Sequence, residues 1–280
     1  MDDRLIQKML QERSLAIRQD IVKTLAAAGS GHTGGSLGLA DLFATLYFHI
    51  LRHDPKNPAW EERDRLILSI GHVAPVLYTT LAHAGYFPIE ELLTLRKLGS
   101  RLQGHPGREH GLPGLELSAG SLGQGLSVGV GMALAAKMQK KEWRVYTVHG
   151  DGELQEGSIW EAAMSASHHR LDNLIAFIDR NGVQIDGKTS DVMEIEPLAD
   201  KWKAFGWQVY ECNGHDHRQI IQRVEMAQGT RNRPSVVILH TIMGKGVKSI
   251  EGDHRWHGKA PTLEQLPYFL EELKQSAGFY

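Results

Sequence analysis

The residues best suited to chemistry with a phosphate and a metal ion lie in two runs, Val145 to Gly157 (VYTVHGDGELQEG) and Asp179 to Gly187 (DRNGVQIDG). The first begins as an apolar strand, Val145 to Val148, and passes into Gly150, Asp151 and Gly152. A helix is expected from about Glu153, with Ile159, Ala162, Ala163 and Ala166 on its inner side. Glycine lets the backbone approach a ligand closely, and a helix N-terminus offers unpaired N–H groups to an anion. Asp151 stands where a carboxylate can hold a hard cation beside that anion. A second strand, Leu174 to Ile178, delivers Asn181 thirty positions after Asp151. A carboxylate, an amide oxygen and a backbone carbonyl suit Mg²⁺ or Ca²⁺, with phosphate oxygens completing the shell. Taken singly, Asp-Gly and Asn-Gly are ordinary turn dipeptides; order and spacing give them weight.

Fifteen histidines are present, and four sit against glycine in loops: Gly31-His32, Gly71-His72, Gly104-His105 and His257-Gly258. One loop histidine is by default solvated or packed. Four together suit a site for polyhydroxylated phosphates, because a neutral imidazole donates to one hydroxyl and accepts from another.

The elements that must position these residues alternate. Residues 4–28 carry apolar side chains at helical spacing, and a helix is expected from about Leu39 with Leu42, Leu46 and Tyr47 on one face. Asp54-Pro55 and Asn57-Pro58 mark a turn, Leu66 to Ser69 a short strand, Gly71-His72 the start of a helix through Leu81, and Pro88 the start of another. Residues 99–125 form a long glycine-rich region of the kind that usually has a function. Helix resumes from Leu126 to Lys140, and strands at Trp207–Cys212 and Val236–His240 flank a helix from His217 to Gln228. This alternation predicts an α/β fold, a parallel sheet with helices on both faces, as one domain over residues 1–280. In such a sheet, ligands collect beyond the carboxyl ends of the strands. No internal repeat, low-complexity tract or linker interrupts it. Trp202 and Phe205 read as core, and His168-His169 as a helix C-terminal pair facing the dipole.

The net charge of −2 gives no case for nucleic acid or an anionic membrane surface. Cys212 is the lone cysteine, so no internal disulfide or cysteine zinc cluster is expected. The charged N-terminus lacks the apolar core of a signal peptide, and no run reaches membrane-spanning length; the expectation is a cytoplasmic protein.

The string GDGELQEGSIWEA, followed by LDNLIAFIDRNGVQIDG, resembles transketolase, specifically its domain for the diphosphate of thiamine diphosphate. SGH, GHVAPVLY, GHP, GSLGQG and WHGKAP match transketolase segments in the same order and span nearly the whole chain. The resemblance implies thiamine diphosphate with Mg²⁺ (or Ca²⁺ or Mn²⁺), the metal held by Asp151, Asn181 and the Val183 carbonyl. It implies His32, His105 and His257 as catalytic residues at the thiazolium and substrate. His72 and His257 would lie beside the diphosphate, Gly120 and Leu122 would contact the cofactor, and Gly152 N–H would meet the diphosphate. Lys245 is either a further diphosphate contact or a surface lysine in a turn, and Glu156 is a candidate for a buried subunit interface. Two departures stand out: Thr33 replaces a proline, and His149 precedes GDG where the family usually has an apolar residue.

In the family, the glutamate that activates the cofactor, the aromatic stacked on its pyrimidine and the sugar-phosphate arginines lie on a second domain, which this sequence lacks. The resemblance therefore implies the N-terminal subunit of a split transketolase of the pentose phosphate type. It would act with a C-terminal partner subunit, as an α2β2 heterotetramer, to move a two-carbon ketol unit from a ketose phosphate to an aldose phosphate. The alternatives are the alpha chain of a 2-oxoacid dehydrogenase, which GHP, GSLGQG and WHGKAP disfavour, and a non-catalytic homologue that only binds the partner chain.

Overall fold

The computed structural model of the protein describes residues 2–276. Helix α1 (Asp3–Ala28) opens with Asp2 accepting from Arg4 N–H and ends at Gly29, whose φ of 66° closes it in the left-handed region. It buries Leu10, Ile17, Ile21, Val22 and Leu25. The helix expected from about Leu39 is present as α3 (Ala40–Thr45) continued by a π-helical turn, Leu46–Ile50, and a short helix not expected from the sequence, α2 (Thr33–Gly38), precedes it. Three glycines weaken α2, and the Thr45 hydroxyl donates back to the Asp41 carbonyl, a bond that bends helices.

Strand β1 (Arg65–Leu68) leads through a 3₁₀ turn, Gly71–Val73, into α4 (Ala74–His83). The helix expected at Pro88 is a 3₁₀ stretch, Ile89–Thr94, in which Leu92 alone is buried; no apolar stripe is there to hold an α-helix. The 99–125 region carries only the 3₁₀ turn Arg108–His110 before α5 (Gly125–Met138). Then follow β2 (Val145–Gly150), a 3₁₀ turn at Gly152–Gln155, α6 (Gly157–His168) and β3 (Leu174–Arg180). A small hairpin, β4 (Val183–Gln184) and β5 (Gly187–Lys188), precedes α7 (Thr189–Val192) and α8 (Leu198–Ala204). The chain continues with β6 (Gln208–Asn213), α9 (His217–Gly229), β7 (Ser235–His240) and α10 (Leu266–Ser276).

The five long strands form one parallel sheet in the order β1-β2-β3-β7-β6. Strand residues alternate between two cores. Ile175 and Phe177 of β3 and Val237 and Leu239 of β7 pack on the face that holds α1, α3, α4, α9 and α10. Leu174, Ala176 and Ile178, with Val236 and Ile238, pack on the face of α5, α6 and α8. Trp202 is fully buried there, 5.3 Å from the Trp160 ring and 4.8 Å from Trp207. Phe205 is partly buried against the same cluster, and His168 and His169 meet edge-on at the C-terminus of α6. The expected sheet covered on both faces is present, and the loops after β1, β2, β3 and β7 leave the same edge.

Candidate active site

Those loops border a cleft of about 410 Å³. His32, His72, His105 and His257 line it, as do Gly120, Leu122 and Gly152, and so do Asp151, Asn181 and Val183. Residues from both ends of the sequence thus meet, and a direct tie accompanies them: the Thr33 hydroxyl donates to the Lys259 carbonyl at 2.6 Å. Threonine in place of proline therefore gains a bond that links the His32 and His257 segments.

Three imidazoles form a cluster. The His32 ring is 4.9 Å from His72 and 5.6 Å from His257, and His72 is 5.1 Å from His257. Burial, reinforced by neighbouring imidazoles and Arg96, lowers His32 from its ordinary value to about 4. Burial and the surrounding histidines lower His72 to about 3. His105 is lowered by burial and Arg96, and His257 by burial. All four are neutral at pH 7, each with one donor and one acceptor nitrogen. His32 Nδ1 is buried without a hydrogen-bond partner, a polar atom that a ligand would satisfy.

On the cleft floor, the Asp151 carboxylate accepts from Gly152 N–H at 2.8 Å, Gly182 N–H at 2.6 Å and the Arg180 guanidinium at 3.0 Å. It is 1% exposed; burial raises its pKa, against the pull of these donors. The Asn181 amide donates to Asp179 at 2.8 Å, and its oxygen accepts from Val183 N–H at 2.9 Å. Burial, with the nearby Asp151 charge, raises Asp179 to about 7. Among the described residues no group of three or more His, Cys, Asp or Glu side chains could by itself hold a metal. The donor set of Asp151, Asn181 and the Val183 carbonyl is all oxygen and incomplete, which fits a hard cation that takes its other ligands from phosphate.

The helix expected to open at Glu153 starts four residues later. The turn Gly152–Gln155 is 3₁₀, and Glu156 has an extended backbone as the cap of α6. The cause is Glu153, which turns inward instead of continuing the helix. Its carboxylate accepts from the Ser69 hydroxyl, from Gly123 N–H at 2.8 Å and from His149 Nδ1 at 3.1 Å. His149 Nε2 and the Thr147 hydroxyl are hydrogen-bonded at 2.9 Å. Burial alone would raise Glu153, but His149 and the other donors hold it below the usual carboxylate range. The polar His149 before GDG thus belongs to a buried network that pins the glycine-rich loop carrying Gly120 and Leu122. Sequence reading missed Glu153 and Ser69; the four-residue spacing of His149 and Glu153 was the available signal.

Lys245 is not in the cleft. Gly244 and Gly246, at φ of 79° and 93°, turn the chain so that its ammonium lies 3.6 Å from Glu251 and borders a separate cavity with Arg18, Asp41 and His215. From this loop Met243, two positions earlier, lines the cleft; the sequence reading did not single it out. Glu156 is exposed at the cleft margin.

The transketolase family, through its thiamine diphosphate-binding domain, matches residues 9–279. The chain is 46% identical to a 6-deoxy-6-sulfo-D-fructose transketolase subunit of Clostridium sp., over 95% of this chain and 96% of that one. It is 44% identical to one of the subunits of the apulose-4-phosphate transketolase of Phocaeicola vulgatus, over 95% and 94%. Among solved structures, the transketolase of Campylobacter jejuni superposes with a TM-score of 0.89 at 36% identity, covering 97% of this chain and 43% of that one. The transketolase of Leishmania mexicana gives 0.90 at 31%, covering 96% and 42%.

Proposed function

Because this chain belongs to the family of the transketolase thiamine diphosphate-binding domain, we propose that it is the diphosphate-binding subunit of a two-chain transketolase. With its partner it transfers a two-carbon ketol unit from a ketose phosphate to an aldose phosphate. The observation that carries this reading is the convergence of Asp151, Asn181, Val183 and four neutral histidines on one cleft.

In this reading Asp151, Asn181 and the Val183 carbonyl hold Mg²⁺, or Ca²⁺ or Mn²⁺ in its place, against the cofactor diphosphate. Gly152 N–H and His72 face the phosphates, and Gly120 and Leu122 pack on the cofactor. Thiamine diphosphate, when bound, supplies the electron sink for breaking the bond beside a ketose carbonyl. The protein's part is to bind and orient. His32, His105 and His257, which line the cleft, would donate to the sugar carbonyl and accept from its hydroxyls. Lys245, beside Glu251 on a neighbouring cavity, is assigned no contact in this reading.

The partner supplies the remaining contacts to cofactor and sugar phosphate. Support for a separate partner comes from relatives named as subunits, which this chain matches over 94–96% of their length. An α2β2 assembly accords with the apolar surface of α5 and α6, where Met138 and Met164 are 77% and 58% exposed. Glu156, the cap of α6, is the candidate interface carboxylate. One domain over residues 1–280, its ends lying outside the described residues, and a cytoplasmic, pentose phosphate-type role complete the proposal; among the described residues no helix is long and apolar enough to cross a membrane.

The test is a steady-state assay of the purified chain, the purified partner and their mixture, with thiamine diphosphate and Mg²⁺, on ketose–aldose phosphate pairs and on pyruvate. Ketol transfer is expected from the mixture alone. Equal transfer by this chain on its own sinks the two-chain reading, and turnover of pyruvate would indicate a 2-oxoacid dehydrogenase.

A further inference from the structure

We propose that three side chains outside the cleft, the buried Arg18 and Asp41 and the partly buried His215, form a positioning device that sets the spacing of two cleft walls. One wall is the His32 segment with α2; the other is the loop after β7 that carries Met243. The inference rests on the cofactor-binding reading above.

On one side, Arg18 Nε donates to the Leu37 carbonyl in the last turn of α2, at 3.1 Å. Its two terminal nitrogens reach the two oxygens of Asp41, at 3.1 and 2.5 Å. On the other side, His215 Nε2 accepts from Ile242 N–H at 2.8 Å. A peptide N–H only donates, so Nε2 carries no proton; the ring proton sits on Nδ1, which donates to Asp41 at 2.8 Å. The tautomer is thereby fixed. A continuous chain of bonds runs from Leu37 through Arg18, Asp41 and His215 to Ile242. The three side chains are 11%, 7% and 10% exposed. Burial would raise the Asp41 carboxyl, but Arg18 and His215 hold it far below the usual range, so the link stays charged.

The walls that this chain joins have no slack between them. Gly244 N–H donates to the Gly34 carbonyl at 2.8 Å. A methyl group on Gly34 would meet Met243 Cγ at 2.5 Å, and one on Gly38 would meet the Ile242 carbonyl oxygen at 3.1 Å. A shift of Ile242 therefore moves Met243 against α2, whose N-cap is His32. Ser14 lies in the same cavity and bonds His217 at 3.2 Å, but it makes no bond to the loop.

The experiment uses the full chain and its assembly with the partner. Hydrogen exchange reads the Ile242 and Gly244 amides, and calorimetry reads thiamine diphosphate binding in the presence of Mg²⁺. His215→Ala is expected to lose protection at both amides and to weaken cofactor affinity about ten-fold, with kcat at saturating cofactor within about two-fold of wild type. His215→Gln places an acceptor near the Nε2 position and is expected to recover most of the affinity. His215→Asn bonds Asp41 but cannot reach Ile242, and carries the same test if the alanine variant fails to fold. Ser14→Ala is the control for lost buried polarity and should leave affinity unchanged. Unchanged loop exchange in His215→Ala and His215→Asn, or equal weakening by Ser14→Ala, overturns the proposal. If the wild-type assembly binds no thiamine diphosphate, the cofactor reading fails, and the exchange data still decide whether His215 holds the loop.

Discussion

Asp151 is the single carboxylate in the proposed cation set, so cation binding turns on it. Asp151→Ala is expected to lower metal-dependent cofactor affinity about 100-fold, and Asn181→Ala about ten-fold, because water can replace a neutral ligand more readily than a charge. Calorimetry on the assembled enzyme checks both; unchanged affinity in Asp151→Ala would remove the metal assignment. The cleft histidines make a second prediction. His32 and His72 are lowered to about 4 and about 3. As pH falls, the unfolded chain takes up protons at the ordinary histidine value while the folded chain resists. Stability therefore declines from about pH 6.5 downward, until the folded pKa values are reached. Melting temperatures measured from about pH 7 to about pH 5 should fall, and His72→Gln should flatten that decline. An unaltered slope in the variant would mean that His72 is not held neutral. At this scale the sequence was informative where glycine flanked a polar side chain. At Lys245 it left two readings open, because the two left-handed glycines beside it decide where the lysine points, and a string of residue types does not show that direction.

At the scale of elements, the packing of α5 on β2 depends on the absence of a side chain. A methyl group on Gly129 would meet Thr147 Cγ2 at 2.6 Å. Gly129→Ala would gain up to about 1 kcal/mol in helix propensity, whereas forcing α5 away from the sheet costs about 1–3 kcal/mol. The expected outcome is a lower melting temperature, and a higher one would show that α5 can move freely. Strands and long helices were legible because their apolar periods are strong. The start of α6 was not. Whether Glu153 continues a helix or turns inward is decided by Ser69 and Gly123, which are far away in sequence and supply the donors that its carboxylate accepts. The helix expected from about Leu39 was legible from Leu42, Leu46 and Tyr47, but its passage into a π-helical turn was not: side-chain bonds to the backbone, such as Thr45 to Asp41, carry no hydrophobic period.

For the molecule as a whole, the cleft is one side of a larger site in the proposed assembly, so the apparent cofactor affinity should rise with partner concentration. The layered α/β architecture followed from the alternation of strands and helices. The strand order did not, since β6 precedes β7 in the chain yet lies outside it. That order has a consequence for biosynthesis. Strand β7 pairs with β3 on one side and β6 on the other, so this interior strand emerges from the ribosome after both of its neighbours. Until Ser235–His240 is made, β3 is a bare edge and β6 has no strand to join. The nascent protein must carry two exposed ribbons of unsatisfied backbone that a late insertion then closes. The segment that follows β7 brings Met243 and His257 to residues near the start of the chain, so the cleft cannot be complete before the last strand of the sheet has been made.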